Sequence, residues 1–338
     1  MIKTSVVILN WNGIIFLEKF LPSVIEHSID GETEVVVADN GSSDNSIAFI
    51  EQNFPQVRVI PFCENYGFTG GYNRALNQIS AKYAVLLNSD VEVKTGWLKP
   101  LIAEMESNEQ IGACMPKIIS QSQPQYFEYA GAAGGFMDVL GYPFCRGRIL
   151  QAVEKDEGQY NDTCNIFWAT GACMVVRTEL YKKLGGLDDD FFAHMEEIDL
   201  CWRMQNNGYK IVCVGNTQVY HVGGGTLPNN SPRKLFLNYR NNLLILYKNL
   251  PKGWYHQILI LRFFLDWASA VAFALQLKFS FAKSVFKAHR AFFKICKGKR
   301  GKNNKKLREL SGVYHGSIII SYLIKGRKIF SRLKISAN

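Results

Sequence analysis

Four short apolar runs near the start of the chain constrain the fold more than any other feature: SVVILN (5–10), EVVVAD (34–39), VRVIPF (57–62) and YAVLLNSD (83–90). They are rich in β-branched residues and near-continuously apolar, the pattern of strands buried on both faces of a parallel sheet. Helical spacing separates them over Gly13–His27 and Asn45–Phe54, and a third helix is predicted over Gly71–Ile79, after a glycine-rich turn. Strand and helix alternating at this period predict an α/β chain with a doubly wound, mostly parallel sheet. Ligands of such sheets lie beyond the carboxyl ends of the strands, where Asn10, Asp39 and Asp90 all fall. From about 112 to 230 the signals are mixed, with GACMPKII (112–119), IFWATGACMVVR (166–177) and KIVCVG (210–215) between Gly- and Asn-rich turns. This half reads as an extension of the same core, with a helix over Glu196–Asn206.

Charge divides the chain where the alternation stops. Residues 1–230 hold 16 Lys and Arg against 27 Asp and Glu, a net of −11; residues 231–338 hold 23 against 2, a net of +21. An acidic body with a basic tail suggests two physical jobs, the second at an anionic surface. Within the tail, Trp254–Ala282 is strongly apolar but interrupted by Arg262 and Asp266, short of the roughly 20 uninterrupted residues a spanning helix wants. Cations then recur at 278, 283, 287, 290, 294 and 297 with Phe, Val and Ile between them. That pattern predicts a basic amphipathic helix lying in a membrane interface; whether 254–282 spans or lies on the membrane stays open. KGKRGKNNKK (297–306) reads as a solvated loop, and SGVYHGSIIISYLIKGRKIF (311–330) as a second short anchor. A +21 tail also suits nucleic acid, but the long apolar stretches favour a membrane and no nucleic-acid partner is expected. A cut after about residue 240 should then give a more soluble enzyme. Eight cysteines without a C-x-x-C pair argue against a zinc ribbon or disulfide scaffold and fit reduced thiols in a cytoplasmic protein. The N-terminal MIKTSVVILNWNG turns polar too soon for a signal peptide.

Several short motifs carry chemistry. In VVVADNGSSDNS, Asp39 can accept hydrogen bonds from a base or ribose, or close an Asx turn before a helix capped by Ser42 or Asp44. In NYGFTGGYNRAL (65–76), Gly67, Gly70 and Gly71 allow close backbone approach to an anion, although neither G-x-G-x-x-G nor G-x-x-x-x-G-K-[ST] is present. Asp90 in LLNSD can hold a hard divalent cation against phosphates, or simply end a strand. In DDDFFAHMEEIDLCWR (188–203), Glu196, Glu197 and Asp199 crowd a helix start, and adjacent desolvated carboxylates raise one another's pKa toward a general base. Asp199 and Arg203, spaced i, i+4, can pair and fix that helix. His221 in VYHVGGGT is a metal-ligand candidate that depends on its company.

The order and spacing of SVVILNWNG, VVVADNGSSDNS, NYGFTGGYNRAL, LLNSD, TGACMVVR, GGLDDDFFAHMEEIDLCWR and YHVGGGT resemble glycosyltransferase family 2, the inverting GT-A enzymes, and most closely its bacterial rhamnosyltransferase-like members. The resemblance covers residues 3–230. It implies a catalytic domain over 1–230, with a nucleotide-binding half (1–110) and an acceptor-side half (111–230), followed by the membrane-associating region 231–338. It further implies that Asn10, Asn12 and Asp39 line the nucleotide pocket, Asp39 reading a pyrimidine base, and that Asn65, Gly67, Gly70, Gly71 and Asn73 border the nucleotide sugar. Asn88, Ser89 and Asp90 match the family's D-x-D element, with Asn88 in place of the first acid. Asp90, and by resemblance His221, would hold Mg²⁺ or Mn²⁺. Glu197 matches the acidic base, with Glu196 the neighbouring candidate. The implied reaction is inverting transfer from dTDP-rhamnose, or next a UDP-hexose, to a hydroxyl of a glycan or polyprenyl-linked acceptor at the inner face of the plasma membrane. A sugar-phosphate nucleotidyltransferase and an inactive scaffold of the same fold are the alternatives. A dinucleotide-binding oxidoreductase is disfavoured because the first strand lacks its glycine fingerprint.

Overall fold

The computed structural model describes residues 2–223, 231–296, 305–333 and 335. The apolar runs form β1 (Thr4–Asn10), β2 (Thr33–Asp39), β3 (Arg58–Pro61) and β4 (Tyr83–Asn88), and between them lie α1 (Ile14–Ser28), α2 (Ser46–Asn53) and α3 (Gly67–Asn77). Val6 and Val7, Val35 to Val37 and Ala84 to Leu87 are all 0% exposed, which is why these strands show no polar alternation. β1 pairs in parallel with β2 and β4, and β2 with β3. The register sets Asn10 beside Asp39 and Leu9 beside Asn88, so the polar strand ends lie at one level of the sheet edge.

Helix α3 begins at Gly67, four residues before the expected Gly71. The glycines are a packing surface inside the helix rather than a turn ahead of it: a Cβ on Gly71 would stand 2.6 Å from Leu9 Cδ1 on β1. Only Gly67, at φ +71°, needs the left-handed region.

The remaining elements are β5 (Val91–Glu92), α4 (Leu98–Ser107), β6 (Ile111–Ser120), β7 (Gly135–Asp138), β8 (Pro143–Cys145), β9 (Arg148–Ile149), β10 (Ala152–Val153), β11 (Thr163–Ile166), β12 (Cys173–Arg177), α5 (Thr178–Lys183), α6 (Glu196–Asn206), β13 (Lys210–His221), α7 (Pro232–Asn249), α8 (Lys252–Leu275), α9 (Phe279–Ile295), β14 (Val313–Tyr314) and α10 (Ile318–Leu323). The main sheet runs β11-β13-β6-β12-β4-β1-β2-β3, with β5 on β13. It is wholly parallel over β4-β1-β2-β3 and mixed beyond, because β12 lies antiparallel between β4 and β6.

The charge boundary at 230/231 is not a boundary of packing. Leu243 to Leu246 of α7 are 0% exposed within the same buried cluster as the sheet. Part of residues 311–330, expected as a second short anchor, packs on the body: β14 pairs in parallel with β7 in a five-stranded second sheet, β10-β9-β8-β7-β14. Ile318 N–H donates to Asp138 Oδ2 at 2.9 Å, and the Phe330 ring packs 4.8 Å from that of Phe136. The second sheet covers part of this apolar stretch, while Ile320, Leu323, Ile324 and Ile329 keep exposed apolar side chains. Cutting after residue 240 would therefore strip packing from the catalytic body instead of freeing it. Of the expected loop at 297–306, residues 297–304 lie outside the described residues.

Helix α8 is turned inside out. Leu259, Arg262, Asp266 and Ala270 face inward, while Ile260, Leu261, Phe264, Trp267, Val271 and Leu275 are exposed. Arg262 stacks 3.7 Å over the Tyr142 ring and donates to Leu140 O at 3.0 Å. Asp266 lies 3.6 Å from Arg262 and bonds His289 Nε2 of α9 at 3.1 Å, while Trp267 Nε1 donates to His289 Nδ1. Buried charge must be paired, and this network holds α8 against the body. Among the described residues α8 is the one helix long and apolar enough to cross a membrane. On α9, Phe279, Phe286 and Phe293 are exposed alongside Lys283, Lys287, Arg290 and Lys294.

Candidate active site

The strand ends are stapled into a cradle by side chains. Asn10 Nδ2 donates to Asp39 Oδ1 at 2.9 Å; Ser42 Oγ donates to the same oxygen and Ser42 N–H to Asp39 Oδ2. Asp39 thus ties down the loop three residues on, while the Asx-type bond expected in this segment is made by Asp44, whose Oδ1 accepts from Ser46 N–H two residues later. Three of the four acceptor positions of its carboxylate are taken and one remains. Asn12, at φ +49°, accepts from Ser43 N–H, and Asp44 accepts from Ile14 N–H at the start of α1. Asp44 therefore caps the preceding helix as well as bonding Ser46. Ser89 borders the same floor, its Oγ 3.7 Å from where a Cβ on Gly13 would stand.

Asn40, not singled out by sequence, joins this floor to the α3 loop. Its Nδ2 donates to Asn65 Oδ1 and Gly67 O, and its Oδ1 accepts from Tyr66 N–H. Asn65 Oδ1 also accepts from Gly67 N–H at 2.8 Å, so Asn65 shapes the start of α3. Gly70 fits tightly under Tyr66 and Arg74, where a Cβ would meet Tyr66 Cβ at 3.0 Å. Asn73 spends its amide elsewhere: Oδ1 accepts from Tyr181 OH and Leu187 N–H, and Nδ2 donates to Leu187 O. It pins the turn before the acidic segment.

At the far edge, His221 ends β13 between two carboxylates. Its Nε2 lies 3.1 Å from Asp90 Oδ1 and 3.5 Å from Asn88 Nδ2; its Nδ1 lies 3.5 Å from Glu128 Oε2. Asp90, Glu128 and His221 are 7%, 7% and 6% exposed. Burial alone would lower the His221 pKa, but the bonds and charges of Asp90 and Glu128 overcome it and raise it to about 10. Held as an imidazolium, His221 has no free lone pair for a metal, so a cation at Asp90 would have to displace the ring proton before Nε2 could coordinate it. Among the described residues no group of three His, Cys, Asp or Glu converges on one point. Such an ion would need oxygens of a bound diphosphate and water for its other positions. No motif marks Glu128; its link to His221 exists only in the fold.

The acidic segment closes the other side. Asp188 N-caps a short 3₁₀ turn, Asp189–Phe191, and Glu196 opens α6, which spans the expected residues. Asp199 pairs with Arg203 at 2.7 Å and accepts from Asn249 Nδ2, while Arg203 holds Leu184 O and Gly186 O. These two are structural. Glu196 is 4% exposed and Glu197 half-buried, and the Oε2 of each has no hydrogen-bond partner among the described residues. Burial raises Glu197 to about 7 against the backbone N–H bonds that lower it. Burial, then the charge of Glu197, raises Glu196 well above the ordinary carboxylate range. Both carboxyls are therefore harder to ionise than in water, Glu196 the more strongly so. Burial, helped by the charge of Lys234, keeps the nearby His194 neutral, its pKa down at about 4. The Phe192 ring, 47% exposed, lies 3.3 Å from where a Cβ on Gly67 would stand, so the acidic segment touches the α3 loop.

The sheet with its polar carboxyl edge defines a class, the GT-A glycosyltransferase fold. Solved structures sharing it include S. aureus TarS 1–349 with UDP (TM-score 0.58, 17% identity, 88% of this chain and 81% of that one). GalNAc-T7 with UDP, GalNAc and Mn²⁺ gives a TM-score of 0.58 at 17% identity over 76% of this chain and 49% of that one. The sequence pattern of Glycosyl transferase family 2 matches residues 5–185, and the chain belongs to that family. Similar relatives include the N-acetylglucosaminyl-diphospho-decaprenol L-rhamnosyltransferase of Mycobacterium tuberculosis, 25% identical over 84% of this chain and 94% of its own length. The dTDP-rhamnosyl transferase RfbF of Shigella flexneri is 21% identical over 68% and 76%.

Proposed function

We propose that this glycosyltransferase inverts configuration as it moves rhamnose from dTDP-rhamnose, or a hexose from a UDP-hexose, onto a hydroxyl of a polyprenyl-diphosphate-linked glycan, in cell-surface polysaccharide synthesis. The observation that carries the reading is Glu197: half-buried, with a carboxylate oxygen that has no hydrogen-bond partner among the described residues, and raised by burial to about 7, in the segment whose Phe192 touches the α3 loop. A base of that pKa suits removal of a proton from an attacking alcohol.

The nucleotide lies over the floor made by Asn10, Asn12 and Asp39, the last free acceptor of Asp39 taking a pyrimidine N–H. The α3 loop, with Gly67, Gly70 and Gly71, borders the donor sugar. Asp90 and His221, with Asn88 and Ser89 beside them, are the residues that would hold Mg²⁺ or Mn²⁺ against the diphosphate. When bound, such an ion offsets the charge that builds on a departing nucleoside diphosphate. Glu197 takes the acceptor proton as the alcohol oxygen bonds the anomeric carbon opposite the leaving group.

The exposed aromatic and cationic face of α8 and α9 supports peripheral attachment to an anionic cytoplasmic membrane, where a polyprenyl-linked acceptor resides. With Arg262 and Asp266 turned onto the body, α8 lies on that membrane instead of crossing it. The test offers dTDP-rhamnose, UDP-hexoses and GDP-sugars with N-acetylglucosaminyl-diphospho-polyprenol and Mn²⁺. Release of nucleoside diphosphate with a β- or α-inverted product is expected. Pyrophosphate release from a nucleoside triphosphate and a sugar phosphate would assign a nucleotidyltransferase, and turnover of no donor an inactive scaffold.

A further inference from the structure

The loop that delivers the two glutamates has an improbable backbone. Phe192, His194 and Met195 sit at φ +66°, +69° and +73°, a region L-residues avoid, and none is glycine. Phe192 also heads a tight turn in which Ala193 N–H donates back to Phe191 O at 2.8 Å. Such a backbone persists only where its surroundings over-determine it. Here one side chain supplies the template. The Asn241 amide, 0% exposed in the middle of α7, shares its two N–H bonds among Phe191 O (3.1 Å), Ala193 O (2.8 Å) and His194 O (2.6 Å). Its Oδ1 is held in turn by Arg240 Nε at 2.7 Å, which fixes the amide orientation, and Arg240 Nη2 reaches Phe191 O at 2.6 Å. Met195 is the residue that caps α6, so the direction of these three carbonyls sets where Glu196 and Glu197 begin.

We propose that Asn241 is a positioning residue of the transfer reaction: by gathering the carbonyls of residues 191, 193 and 194 onto one amide, it holds the strained loop that leads into α6 and so fixes where the proposed base Glu197 stands. The inference rests on the reading of Glu197 as the base. It requires donor at residue 241, a demand beyond filling space in α7.

The experiment uses the full chain with Asn241→Asp, Asn241→Ala, Glu197→Gln and Leu244→Ala, the last a fully buried α7 residue remote from the three carbonyls by function and serving as the control for lost packing. Transfer is followed as nucleoside diphosphate release from dTDP-rhamnose with the polyprenyl-linked acceptor, and nucleotide affinity with dTDP by calorimetry. The expected result is a kcat lowered about 100-fold in both Asn241 variants, the size of effect that small misplacement of a reacting group brings. Affinity for dTDP should stay within about threefold of the unmodified protein, since the cradle around Asp39 is untouched. The kcat of Asn241→Asp relative to the unmodified protein should rise as pH falls from about 8 to 6, because a protonated carboxyl regains an O–H donor. A kcat within about threefold of Leu244→Ala in both Asn241 variants overturns the proposal, as does loss of kcat and dTDP affinity together. Should Asn241→Ala fail to fold, Asn241→Asp, of equal size, decides by the same readings. An active Glu197→Gln would instead refute the base, whatever the Asn241 variants do; an inactive one beside active Asn241 variants would refute this inference alone.

Discussion

The two glutamates at the start of α6 can be told apart by titration. With Glu197 at about 7, the enzyme carries its ionised base in about nine-tenths of molecules at pH 8 and about one-tenth at pH 6. The kcat should therefore fall about tenfold between them. Glu197→Gln removes the base and should lower kcat by about 10²–10⁴-fold at pH 8. Glu196→Gln replaces the carboxyl that burial and the charge of Glu197 hold harder to ionise with its near-isostere, so kcat should stay within about fivefold and the pH limb near 7 should persist. Stability moves the other way. A carboxylate whose folded pKa lies above its unfolded value destabilises the fold when ionised: the penalty is absent below about 4.5, grows as pH rises, and is complete above about 7. Discounted for the partial exposure of Glu197, that penalty is about 2 kcal/mol. Glu197→Gln should accordingly raise Tm at pH 8 and leave it unchanged at pH 4.5. Initial-rate profiles from pH 5.5 to 9 and scanning calorimetry at the two pH values make the measurement. A flat profile between 6 and 8, or a dead Glu196→Gln beside an active Glu197→Gln, would refute the reasoning.

Asp90→Ala should abolish transfer, and Glu128→Gln, by removing one of the two carboxylates that hold the His221 proton, should strengthen Mn²⁺ binding to the protein at neutral pH; unchanged or weaker calorimetric affinity in Glu128→Gln would refute that account. Asp266→Ala leaves Arg262 buried without its carboxylate and should cost about 3–5 kcal/mol in urea unfolding, whereas Arg262→Met with Asp266→Leu should cost far less; equal costs would refute the account of α8. Replacing Lys283, Lys287, Arg290 and Lys294 with Glu should lower binding to phosphatidylglycerol vesicles about 1,000-fold, at about 1 kcal/mol per cation lost. Flotation unchanged by that replacement would place membrane contact elsewhere.

The parallel half and α6 were legible in the sequence because each leaves a local trace. Burial on both faces erases polar alternation in β1, β2 and β4, and the acid run before Ile198 marks a helix start. The α3 start was not legible: three glycines read alike whether they make a turn or let a helix press on Leu9 and Asn40. Residues 311–330 failed for a related reason, since a run of isoleucines does not say whether lipid or a second sheet will cover it. Arg262 and Asp266 looked like interruptions of an apolar helix, yet they are the inward face that fastens it. In the site, Asp39, Asp90, Glu196, Glu197 and His221 stood in motifs. Glu128 and Asn241 did not, because their partners lie far along the chain, about 50 residues away for Asn241. An asparagine pair amid the apolar residues of α7 was the one signal available, a buried polar group that had to find a partner.

The second sheet has a consequence for how the protein is made. β7 emerges from the ribosome with one edge bare, and the strand that covers it, β14, follows about 175 residues later. At about 5–20 residues per second the gap lasts roughly 10–35 s, during which the exposed edge can pair with another nascent chain. Yield in a recombinant host should thus respond to holdase supply and to slower, cooler translation more than to any gain in the strength of the parallel part of the main sheet, whose strands β1 to β4 are complete by residue 88.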